Sequence, residues 1–69
     1  MNTPFIFIIN VIVEDPLDST KYKITSVVLR KLFFCPRIDE EIRIDRESYL
    51  VRRVIHTDES NVHLMVVSL

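Results

Sequence analysis

With 69 residues and nine basic side chains against ten acidic ones, the chain is one small domain of net charge −1, without the positive excess of a general polyanion binder. Its single cysteine excludes an intrachain disulfide, and no cluster of metal ligands stands out along it. A domain this small buries only about 60% of its unfolded surface, so stability gained by self-association is the expectation.

The first apolar segment runs from Pro4 to Val13, interrupted only by Asn10. Its β-branched and phenylalanine content predicts a strand from Phe5. It is too short to cross a bilayer, which takes about 20 residues. It also lacks the basic start and small-residue cleavage site of a signal peptide. A cytoplasmic protein without a membrane partner is expected. Asp15-Pro16-Leu17-Asp18-Ser19-Thr20 reads as a loop, followed by a second strand from Tyr22 to about Leu32. Val28, Leu29, Leu32 and Phe33 also share a helical face, but Thr25, Val27 and Val28 are β-branched and favour the strand. A hairpin about that loop offers Thr25 as a partner for Asn10.

Pro36-Arg37-Ile38-Asp39 reads as the next loop, and three further strands follow at Glu40–Ile44, Tyr49–His56 and Val62–Val67. Tight turns are expected at Asp45–Ser48 and Asp58–Asn61. Glycine is absent, so any turn needing a positive φ must use Asn or Asp, or a longer loop must avoid that geometry.

Charge suggests a register for the first of these hairpins, with a turn at Arg46-Glu47. Ile44 then faces Tyr49 and Ile42 faces Val51, which sets Glu41 opposite Arg52 and Glu40 opposite Arg53. In the last hairpin, a turn at Glu59-Ser60 pairs His56 with His63, Val54 with Met65 and Arg52 with Val67. Alternation then gives a core face of Ile42, Ile44, Tyr49, Val51, Ile55, Leu64 and Val66. The other face carries Arg43, Leu50, Arg52, Val54, His56, His63, Met65, Val67 and Leu69. A bulge at Arg52-Arg53 would move Val54 into the core and Ile55 out of it.

The stretch Pro36-Arg37-Ile38-Asp39-Glu40-Glu41-Ile42-Arg43-Ile44-Asp45, followed by Tyr49-Leu50-Val51-Arg52-Arg53-Val54, resembles a hairpin of SH3-like small barrels and of short bacterial β proteins. It covers about a third of the chain and departs from those proteins where they place glycine. The resemblance implies a barrel-like hairpin and carries over no functional residue. The expected fold is all-β: about five antiparallel strands in a meander, forming a small SH3-like barrel or a half-open curled sheet.

The expected function is a non-enzymatic protein-interaction module, a homodimer or the partner of another protein. Arg43, Leu50, Arg52, His56, His63, Met65 and Val67 are its partner-binding residues. Two alternatives stand beside it. One is a small nucleic-acid-binding barrel using Arg37, Arg43, Arg52 and Arg53. The other is a short inhibitor encoded by a mobile element. No catalytic, cofactor-binding or metal residue is expected. Cys35 has no base nearby in sequence, facing arginines account for Glu40 and Glu41, and His56 with His63 supplies only two of the ligands that zinc usually takes.

Overall fold

The computed structural model describes residues 5–57 and 61–69, so the expected Asp58–Asn61 turn falls mostly outside them. Five strands form: β1 (Phe5–Glu14), β2 (Tyr22–Leu32), β3 (Glu41–Ile44), β4 (Glu47–His56) and β5 (Asn61–Ser68), and no helix lies among the described residues. The stretch that could have been helical, Val27 to Leu32, belongs to β2.

The strands make one curled sheet in the order β2-β1-β5-β4-β3. The sheet is mixed rather than a purely antiparallel meander. β1 pairs antiparallel with β2, as the expected hairpin requires, but parallel with β5 on its other side. The cause is visible in β1 itself. Phe7 and Ile9 are buried on one face, Asn10 and Ile12 on the other, so this strand needs neighbours on both edges and cover on both faces. An end strand would leave much of that apolar surface wet.

Curling defines an inner and an outer face. The inner face holds the core, where Phe7, Ile9, Val51, Val62, Leu64 and Val66 are buried together. Val28 and Leu32 from β2 and Ile42 and Ile44 from β3 pack against them. Opposite ends of the sheet therefore lean over one core. Arg30 of β2 forms an ion pair with Asp45, beside β3, across the open side of this half-barrel.

The β3–β4 hairpin turns on Asp45 and Arg46, with φ of 50° and 73°. Two consecutive positive φ values are what a two-residue type I′ turn requires. Ile42 is consequently opposite Tyr49, and Glu41 opposite Leu50. This corrects the charge-based register by two residues, because the chain accepts a left-handed arginine where the wider turn avoided one. An even shift keeps every side chain on its face. Ile42, Ile44 and Tyr49 stay inward, whereas the Glu41–Arg52 and Glu40–Arg53 pairs do not form. Instead, the Glu40 carboxylate accepts a hydrogen bond from the Arg37 backbone N–H at 2.6 Å. Arg46→Gly removes the left-handed penalty and should stabilise the fold by about 0.5–1 kcal/mol. A denaturation midpoint that does not rise would argue against this turn.

In the β4–β5 ladder the register shifts between Val51 and Arg53, which leaves Arg52 as a bulged residue. The bulge has the consequence foreseen for it: Val54 packs on the core and Ile55 is exposed. It also separates the histidines. His56 lies opposite Val62 and His63 opposite Ile55, so the two rings sit on different faces. The expected His56–His63 pair is thereby corrected.

Candidate interaction surfaces

The register places chemically related residues in rows across the outer face. One row runs Leu29, Ile8, His63, Ile55 from β2 to β4. The next runs Val27, Asn10, Met65, Arg53. Ile6 lies beside Lys31 at one end, and Ile12 beside Ile24 toward the other. Ile24, Val27 and Leu29 are 51%, 56% and 62% exposed. They extend an apolar field to the edge of the sheet, with Leu50 and Val67 paired at its far side.

Two features organise the middle of this face. Asn10 is buried, and its side-chain amide donates to the Ile8 carbonyl at 3.2 Å and to the Leu64 carbonyl at 3.3 Å. The second bond crosses from β1 to β5 and fastens the parallel pair. Thr25, its expected partner, instead donates from its hydroxyl to the Val11 carbonyl at 3.1 Å. Thr25 occupies a bulge of β2, between the partners of Val11 and Ile12.

The second feature is the pair of consecutive arginines at the β4 bulge. Arg52 donates from Nε and a terminal nitrogen to the two Glu14 carboxylate oxygens at 3.0 and 3.2 Å, a bidentate pair. Arg53 stacks over the Tyr22 ring, 5.5 Å from its centroid. Glu14 is on β1 and Tyr22 on β2, so both arginines reach past β5. A bulge is the device that lets neighbouring residues of a strand point the same way.

The expected partner-binding residues therefore have different fates. Leu50, His63 and Val67 are half-buried, and register puts them on the outer face with exposed Arg43. Met65 is 7% exposed and covered within the chain, Arg52 is engaged by Glu14, and His56 lies on the inner side at the end of its strand. The sequence reading missed the contribution of β1 and β2. Ile24, Val27 and Leu29 alternated imperfectly with polar residues because the Thr25 bulge breaks the period.

Cys35 is an exposed free thiol whose Sγ is 3.6 Å from the Pro36 carbonyl oxygen. Among the described residues no group of three His, Cys, Asp or Glu side chains is placed to hold a metal ion. No helix there is long and apolar enough to cross a membrane.

Comparison with known proteins finds no match, whether to a family model, a curated protein or a solved structure. The likeness to SH3-like barrels stands on the hairpin residues alone.

Proposed function

We propose that this chain is a non-enzymatic protein-interaction module that self-associates through its outer face. The observation carrying the reading is the exposed apolar field of Ile24, Val27 and Leu29, continuous by register with Ile6, Ile8 and Ile55. Monomeric soluble proteins rarely leave such a field open. Two copies laid outer face to outer face would cover it as sheets cover one another in a sandwich, about 10 Å apart. Arg43 and His63 supply polar contacts around it. A free thiol suits a reducing compartment and supports a cytoplasmic location.

Molar mass in solution at micromolar concentration tests this against the 8.2 kDa monomer. A dimer is expected, and Leu29→Glu should dissociate it without loss of fold, since Leu29 is 62% exposed. A monomeric wild-type chain rejects the reading.

One observation favours a second reading, single-stranded nucleic acid. From Lys21 to Ile38 every charged residue is basic, and Phe33 and Phe34 are 72% and 61% exposed, which offers cations beside stacking surfaces. Two of the arginines first expected to serve it, Arg52 and Arg53, are engaged with Glu14 and Tyr22. The same mass measurement with an oligonucleotide at low salt decides between the two: a complex that dissolves as salt rises supports nucleic acid, and none rejects it.

A further inference from the structure

His63 lies within the apolar field of the outer face. On β5 it stands between Ile8 of β1 and Ile55 of β4, and Leu29 of β2 ends the same row. The ring is half-buried, and among the described residues none hydrogen-bonds to it or pairs with it. The charged groups that flank it on the neighbouring elements are cations. Arg53 of β4, two residues from Ile55 and about 7 Å along the strand, shares the face, with its guanidinium over Tyr22. Lys31 of β2 is opposite Ile6, the residue beside Ile8 on that face of β1. On β5 itself the flanking outer-face residues are Asn61 and Met65. The outer-face carboxylates among the described residues are distant. Glu14 is six residues along β1 from Ile8, about 20 Å away, and Arg52 holds it. Glu41 is on β3, beyond β4.

We propose, resting on the outer-face self-association set out above, that His63 is a proton switch for the dimer: two copies associate while the imidazole is neutral and separate once it is charged. A second copy laid on the field takes the water from around this ring. A neutral imidazole tolerates that, with one donor and one acceptor to place. An imidazolium does not, because desolvation opposes the charged form and the flanking cations repel it. Acid therefore acts on one side of the equilibrium. A solvated imidazole takes up a proton as pH falls through about 6.5. The free chain can accept that proton and the dimer cannot. By linkage, the dimer has its full stability above this range and loses it below, by up to about a hundredfold per pH unit, because each dimer holds two such rings.

The test is sedimentation of the full chain at two pH values, about 7.5 and about 5.5, and one ionic strength. The dimer dissociation constant should rise at least about tenfold at the lower pH, with an unchanged far-UV spectrum. His63→Gln should remove that dependence, and His56→Gln, on the inner side, should keep it. If His63→Gln folds poorly, the wild type still decides. Its dilution near pH 6 should take up protons, read as a heat that varies with the ionisation enthalpy of the buffer. A dimer equally tight at both pH values, a dependence that survives His63→Gln, or dilution without proton uptake overturns the switch and leaves the dimer standing. A chain that is monomeric even at the higher pH overturns the dimer and the switch together.

Discussion

Replacing Leu64 with alanine is expected to cost about 2–5 kcal/mol. Leu64 is fully buried, and Phe7, Ile9, Val51, Val62 and Val66 surround it in one cluster. β5 runs between β1 and β4, so a cavity there loosens both halves of the sheet. The whole domain has only about 3–10 kcal/mol to lose. Leu64→Ala should therefore shift the denaturation midpoint far down or abolish the transition. Ile55→Ala, at an exposed position of the neighbouring strand, should change it by less than about 1 kcal/mol. Similar effects at the two sites would contradict this placement of the core.

Met65→Glu separates a core position from an interface position. Met65 neighbours Asn10 across the parallel pair and is 7% exposed, with Arg53 opposite on β4 and its guanidinium already engaged over the Tyr22 ring. A carboxylate there loses its hydration, and a cost of about 3–5 kcal/mol is expected. The result should be loss of the folded far-UV signal, not a folded monomer. Leu29→Glu, on the same face but exposed, should instead give a folded monomer. A folded, dissociated Met65→Glu chain would mean that Met65 faces the partner.

What could be read from the sequence followed from local chemistry. β-branched runs between Asp- and Pro-containing loops marked all five strands, and the odd apolar spacing of Val51 and Val54 marked the bulge. The hairpin register failed at Arg46, because a left-handed arginine is rare enough that composition argues against it. The strand order failed for a different reason. Adjacent strands in sequence usually pair, and only the continuous apolar character of Phe5–Val13 signalled that β1 belonged inside the sheet. Arg52 and Arg53 stand out in the sequence, but as contacts to another molecule, because their intrachain partners, Glu14 and Tyr22, are far away in the chain. Charge matching between nearby strands proposed Glu40 and Glu41 instead, which are closer in sequence and wrong in space.

The parallel pairing of β1 with β5 also governs how the molecule is made. Ile8 finds His63 as its neighbour, and Ile9 finds Leu64. During synthesis, Phe7 and Ile9 leave the ribosome long before the strand that shelters them. That segment has the β2 hairpin as its early cover and must wait for the residues from Asn61 onward before its other edge is paired. Contacts so distant along the chain also make folding slow. Until β5 arrives, the unpaired edge of β1 is the surface most open to aggregation.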